Sequence, residues 1–314
     1  MNAPLLAGVL PVVQTPFTAD EAVDEGVLTA EADWLFAQGA DGLTFAMVSE
    51  ILRLSEGERR RAVEVLCDAA AGRGPVVVSV CSESTRGAVE LATHAASVGA
   101  RAVMALPPLL VSLSPQKLAE HFRAIIRSTD LVTVIQDASG YVGHAIPVGV
   151  YGDLYAEFGD KVMFKPEAQP IGPRLSELLM ATDGRARVFE GTGGAALMET
   201  FPRGLVGTMP GADLCWAIRA LWDALSAGDV DRAYQISFPL GALIALQPSL
   251  DAFVAVEKHL LHRQGVFPND LRRAPVGYEL DEPGTAEINR LFTRLQQACG
   301  RQFDTAVPSR ASGT

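Results

Sequence analysis

The run Val162-Met163-Phe164-Lys165-Pro166-Glu167 carries a short apolar segment up to a lysine and then meets a proline. A proline cannot donate to a sheet ladder, so the reading is a strand over Val162–Lys165 with the lysine at its end. The segments on both sides repeat the form. Short β-branched runs over Val9–Gln14, Gly42–Ala46, Val76–Val80, Ala102–Leu106, Val132–Gln136, Arg187–Phe189 and Leu205–Thr208 read as further strands. Amphipathic stretches separate them and read as helices: Asp24–Gln38, Glu56–Ala71, Arg86–Val98, Pro115–Ser128, Val148–Phe158, Pro173–Thr182, Ala195–Phe201 and Ala212–Ser226. Ser55 ahead of Glu56 and Glu58, and Ser114 ahead of Pro115, are start signals. Gly39 and Gly99 are stop signals, since a left-handed residue past a helix end costs glycine little.

Eight such βα units imply a parallel sheet, and eight is the number that closes a barrel. A doubly wound sheet competes, but no G-x-G-x-x-G follows the first strand. The remainder, from Asp229 to about Arg301, reads as three helices without strands and without a preceding linker. The fold expected is therefore an α/β (β/α)8 TIM barrel over residues 1–227, with a C-terminal three-helix extension over 228–303 and a frayed tail over 304–314.

Composition restricts what such a barrel does. The chain has 314 residues, a formal net charge of −11 and 48% hydrophobic residues. The acidity argues against nucleic acid and anionic membranes as partners. No stretch nears the roughly 18 apolar residues of a membrane span. Met1 to Gly8 lacks the basic segment and apolar run of a signal peptide, so a cytoplasmic location is expected. Cys67, Cys81, Cys215 and Cys299 lie far apart and read as free thiols. The histidines form no metal-ligand spacing, so neither a metal nor another cofactor is expected.

A TIM barrel places its site at the C-terminal ends of its strands. Lys165 stands there. An amine in a poorly solvated pocket is biased toward its neutral form, which attacks a ketone to give an imine. The residues alone leave a second reading open, a lysine that pairs with Glu50 or Glu167 and only holds the barrel together. Gly191, Gly193 and Gly194, after the seventh strand, read either as a phosphate cradle or as a turn that leaves room for substrate.

Several motifs together resemble one superfamily. They are Gly8-Val-Leu-Pro-Val-Val-Gln-Thr-Pro-Phe17, Ser49-Glu50 with Leu54-Ser55-x-x-Glu58-Arg59, Pro108 with His121-Phe122, Phe164-Lys165, Glu190-Gly191, and Arg203-Gly204-Leu-Val-Gly207. In order and spacing over roughly residues 8 to 300, the chain resembles the dihydrodipicolinate synthase and N-acetylneuraminate lyase superfamily, the lysine-dependent pyruvate-type aldolases. The resemblance implies a Schiff base between Lys165 and a small 2-oxo acid, without a separate cofactor, in a homo-oligomer, a dimer or tetramer. It also implies that the turn at Met47, Val48 and Ser49 receives the substrate carboxylate, and that Gly191 and Met209 line the bound keto acid.

The departures define the branch. The superfamily's catalytic tyrosine ends strand five, where this chain has Gln136-Asp137-Ala138, and its cross-dimer tyrosine follows strand four, where this chain has Leu109-Leu110. A glutamine cannot shuttle a proton. Authentic dihydrodipicolinate synthase activity is therefore not expected. Gln136-Asp-Ala and Lys165-x-Glu167 are similar to the 2-keto-3-deoxy-sugar-acid dehydratases, L-2-keto-3-deoxyarabonate dehydratase in particular. That likeness implies a lyase that dehydrates or cleaves a 2-keto-3-deoxy acid, with Lys165, Gln136 and Glu167 as the catalytic set. Glu167, Tyr141, Asp137, an ordered water and the substrate's own carboxylate all remain candidates for the proton carrier. The alternative is a non-catalytic member that binds a keto acid as a sensor.

Overall fold

The computed structural model describes residues 6–301, so the tail expected over 304–314 lies outside the described residues. Eight strands alternate with eight helices, and three more helices follow. The strands are β1 (Gly8–Val9), β2 (Leu43–Phe45), β3 (Val76–Ser79), β4 (Ala102–Ala105), β5 (Val132–Asp137), β6 (Val162–Pro166), β7 (Phe189–Glu190) and β8 (Gly207–Thr208). The helices that alternate with them are α1 (Glu25–Ala37), α2 (Glu56–Ala70), α3 (Thr85–Ser97), α4 (Pro115–Ser128), α5 (Val148–Phe158), α6 (Ile171–Ala181), α7 (Leu197–Thr200) and α8 (Cys215–Ala227). The C-terminal extension is α9 (Val230–Ile244), α10 (Leu250–Arg263) and α11 (Glu282–Ala298).

All ladders are parallel. One runs β2-β3-β4-β5-β6 and the other β1-β8-β7. Bridges Val12↔Thr44 and Phe164↔Val188 join the two and close the barrel. The first, seventh and eighth strands are shorter than the sequence patterning suggests. Beyond β1, Val12 bridges Thr44 on one side and Gly211 on the other.

Side chains alternate between two faces along each strand, and the two faces form two cores. Leu10, Val12, Val77, Met104, Val134, Met163 and Phe189 fill the barrel interior. Val78, Val103, Ile135 and Phe164 join the larger core between the strands and the helix ring. Helix boundaries follow the local signals. Ser55 Oγ accepts from Glu58 N–H at 3.3 Å while the Glu58 carboxylate accepts from Ser55 N–H at 2.8 Å, a reciprocal cap on α2. Ser114 caps α4 over Pro115 in the same way, with one bond from Lys117 N–H.

Candidate active site

Alternation carries the inward face of β5 and β6 directly into the chemistry. Val134 and Met163 point into the barrel, so Gln136 and Lys165, two residues further on, do the same. Parallel register sets Gln136 opposite Lys165. Glu167 continues the inward line past Pro166. All three side chains border a cavity of about 270 Å³ at the C-terminal mouth of the barrel, with Met47, Val48, Tyr141, Gly191 and Met209.

Glu167 is the hub of this cluster. Its Oε1 accepts from Lys165 Nζ at 2.5 Å. Its Oε2 accepts from Gln136 Nε2 at 2.8 Å and from the Tyr141 hydroxyl at 3.0 Å. Gln136 Nε2 also lies 3.1 Å from the Tyr141 hydroxyl oxygen. Lys165 is 3% exposed. Burial pushes the Glu167 carboxyl above its ordinary value, and Lys165, Gln136 and Tyr141 work against that rise. Burial, reinforced by the neighbouring Glu167 charge, holds the Tyr141 phenol well above its ordinary value. The amide oxygen of Gln136 is buried and has no partner among the described residues.

Gly191 is where it is because no side chain fits. A Cβ there would stand 2.1 Å from Glu167 Oε1 and 2.6 Å from Lys165 Cε. Gly193 and Gly194 hold positive φ angles and let Ile244 and Ile218 pack against their backbone. That packing is the open-turn reading of these glycines.

Ser49 is not brought to the cavity. Its hydroxyl donates to Val13 C=O at 2.5 Å and accepts from Ala46 N–H at 3.1 Å. Its own N–H donates to Ala46 C=O at 2.9 Å. The residue after an inward-facing turn is thereby spent on tying that turn to the first strand. Met47 and Val48 open the 3-10 turn Met47–Ser49 beside the cavity, where the first N–H groups of a helical turn have no acceptor inside the turn. Asp137 faces away from the cavity and serves as an anchor. Its carboxylate accepts from Ser139 N–H at 3.0 Å, Ile146 N–H at 2.8 Å and the Tyr151 hydroxyl at 3.2 Å. Glu50 is buried against Lys258 of α10, so the lysine it pairs with is Lys258 and not Lys165.

The sequence reading did not single out the part of the cavity that comes from the extension. Ile244, Gln247, Pro248, Leu250, Phe253 and Glu257 line it from the end of α9 to the middle of α10. One signal was present: Glu257 is an acid on the otherwise apolar face formed by Phe253, Val256, Leu260 and Leu261. Among the described residues no cluster of acid, histidine or cysteine side chains is arranged to hold a metal. No helix among them is long and apolar enough to cross a membrane.

Comparison with known proteins gives a consistent result. Residues 5–294 match the model of the dihydrodipicolinate synthetase family. A 4-hydroxy-tetrahydrodipicolinate synthase from Brucella suis is 28% identical over 289 residues, 88% of this chain and 94% of that protein. The dihydrodipicolinate synthase of Rhodopseudomonas palustris superposes with a TM-score of 0.84 at 22% identity, over 92% of this chain and 97% of that one. A prophage protein of the dihydrodipicolinic acid synthase family from E. coli K12, solved in complex with pyruvate, gives 0.81 at 24% identity, over 94% of this chain and 99% of that one. At such identities the two superpositions bear on the fold alone.

Proposed function

The chain belongs to the dihydrodipicolinate synthetase family, lyases that act through a lysine Schiff base, and from that premise we propose that Lys165 forms an imine with a 2-keto-3-deoxy acid and that Glu167 moves the protons. The observation that carries this reading is the 2.5 Å contact between Lys165 Nζ and a buried Glu167 whose affinity for a proton burial has raised. Glu167 takes a proton from the ammonium, and the neutral amine attacks C2 of the keto acid. The carbinolamine hydroxyl leaves as water with that proton, giving the iminium. The iminium acidifies C3, and the Glu167 carboxylate, again free, removes the C3 proton. For dehydration, the resulting enamine expels the C4 hydroxyl, which departs as water with the proton Glu167 has just taken. Hydrolysis of the imine then returns Lys165. Cleavage instead breaks C3–C4, with Glu167 accepting the C4 hydroxyl proton.

Gln136 and Tyr141 position the carboxyl rather than replace it. Gln136 cannot carry a proton. Its unpartnered amide oxygen is free to accept from the substrate. Tyr141 supplies a phenol from the loop after β5, so the site has a tyrosine although Gln136 stands where the resemblance puts one. The N–H groups of Met47 and Val48 receive the substrate carboxylate, and Met209 covers the keto acid. The barrel carries the chemistry and α9 and α10 of the extension roof it.

We propose a substrate different from that in the names of the Brucella relative and its kind, because Gln136 stands where the resemblance puts a proton-carrying tyrosine. Leu109-Leu110 stand where it puts the second. Leu110 and Val111 are exposed in the loop after β4, which suits self-association through that loop.

The test is intact-protein mass after borohydride reduction with pyruvate, on wild type and Lys165→Ala. A pyruvyl adduct in wild type that vanishes in the variant is expected, followed by turnover of a 2-keto-3-deoxy acid. Adduct formation without turnover of any such acid would leave the keto-acid sensor as the function. No adduct with any 2-oxo acid would remove the Schiff base itself.

A further inference from the structure

Besides the lysine cluster, the cavity has a polar group that the chemistry above does not use. Gln247 is 5% exposed, lines the cavity, and has no partner among the described residues for either its amide oxygen or its amide nitrogen. It lies in the turn between α9 and α10, where its own N–H donates to Ile244 C=O at 2.9 Å. An amide buried with both ends unsatisfied is unfavourable unless something in the cavity meets it. The group that meets both ends at once must accept from Nε2 and donate to Oε1. A hydroxyl does this, whereas a carboxylate only accepts and a methyl does neither.

Glu257 reinforces the choice. Its carboxyl accepts from Gln14 Nε2 at 2.5 Å and lies against Gly211, where a Cβ would come within 2.4 Å of it. Asp213 and Glu31 are buried behind it, and each carries a carboxyl oxygen with no partner among the described residues. Burial holds the Glu257 carboxyl well above its ordinary value, with Asp213 adding to the rise. Glu257, whose charge burial and Asp213 both disfavour, offers an incoming carboxylate no counter-charge.

The span between the two ends is limited. Gly191 abuts Lys165, and Gly193, two residues along the same loop, abuts Ile244. Two extended residues cover at most about 7 Å, so Lys165 and Ile244, which opens the turn to Gln247, border neighbouring parts of one cavity. The tail of a five- or six-carbon acid attached through C2 extends into that space.

We infer that Gln247, with Glu257 beside it, is a distal binding site for a neutral hydroxyl on the tail of the 2-oxo acid, and that the C-terminal extension thereby selects hydroxylated tails over plain or carboxylated ones. This inference rests on Lys165 holding the other end of the substrate.

Three probes that share that head decide it: 2-oxopentanoate, 5-hydroxy-2-oxopentanoate and 2-oxoglutarate. Half-saturating concentrations are read by borohydride trapping in wild type. Affinities are read by calorimetry in Lys165→Ala, where binding is scored without an imine. The expected order is hydroxylated tightest, by about threefold to tenfold over 2-oxopentanoate, with 2-oxoglutarate weakest. Gln247→Leu and Gln247→Met are each expected to abolish the preference for the hydroxyl while pyruvate trapping stays at the wild-type level, which also shows that the barrel has folded. Equal trapping of the first two probes in wild type, a preference that survives both variants, or tight 2-oxoglutarate binding overturns the inference. If no probe is trapped but calorimetry still shows a Gln247-dependent preference, the Schiff base fails and the distal site stands.

Discussion

At the scale of single residues, the site depends on where side chains are absent as much as on where they are present. Lys165 and Glu167 meet because Gly191 leaves them the space, and a methyl group there would overlap both. Gly191→Ala is therefore expected to push the pair apart by an ångström or more. Displacements of that size cost about 10²-fold in rate. The loss should show in the rate of borohydride trapping, with the circular dichroism spectrum unchanged; trapping at the wild-type rate would mean that the pair adjusts freely. Lys165 is named from its place at the end of an apolar strand, and Gln136 and Glu167 from the resemblance; strand alternation and parallel register then bring the three to one face. Ser49 could not be placed the same way. It sits in an irregular turn, and a turn's hydrogen bonds, here to Val13 and Ala46, decide which way a hydroxyl points.

At the scale of elements, the contact between the turn after β2 and α10 matters most. Glu50 of that turn and Lys258 of α10 are both fully buried at their side chains. Lys258 also donates to Leu271 C=O at 2.7 Å and lies over the Phe17 ring at 4.4 Å. Burial brings the Lys258 ammonium down to about 8, against the pull of Glu50. Removing one partner from such a pair leaves the other charge buried alone, which costs roughly 3–5 kcal/mol. Lys258→Met, close in shape, is expected to lose about that much in urea denaturation. A double variant with Glu50→Gln should recover part of it. A single variant as stable as wild type would show that the pair does not hold α10 to the barrel.

At the scale of the whole molecule, the extension adds one buried acid to two that the barrel domain supplies. Glu31 comes from α1, Asp213 from the segment after β8 and Glu257 from α10. Burial raises Asp213 from 3.8 to about 7 and lifts Glu31 and Glu257 well above the ordinary range. A carboxyl raised on folding binds its proton more tightly in the native state. Its stabilising contribution is fully present below about pH 4 and is lost as pH rises through about 7. Asp213→Asn removes that dependence while keeping the shape. The variant is expected to melt at a higher temperature relative to wild type at pH 8 than at pH 5. Parallel melting curves across that range would show that Asp213 ionises in the folded state as freely as in the unfolded one.

The chain's own sequence determined the alternation of strands and helices, the barrel and the helical extension. Those features follow from local rules: β-branched runs, capping residues, a proline after a strand and a period of two that sorts inward from outward. The resemblance singled out Lys165 as the Schiff-base lysine and put Gln136 where the superfamily has its tyrosine. Only the tertiary structure decided what surrounds that glutamine. Tyr141 reaches Glu167 from a loop, Asp137 turns away to anchor the same loop, and Gln247 and Glu257 arrive from the turn after α9 and from α10, about a hundred residues later in the chain. No local pattern specifies such meetings, because they depend on how helices dock over the barrel mouth and not on the conformation of any one segment.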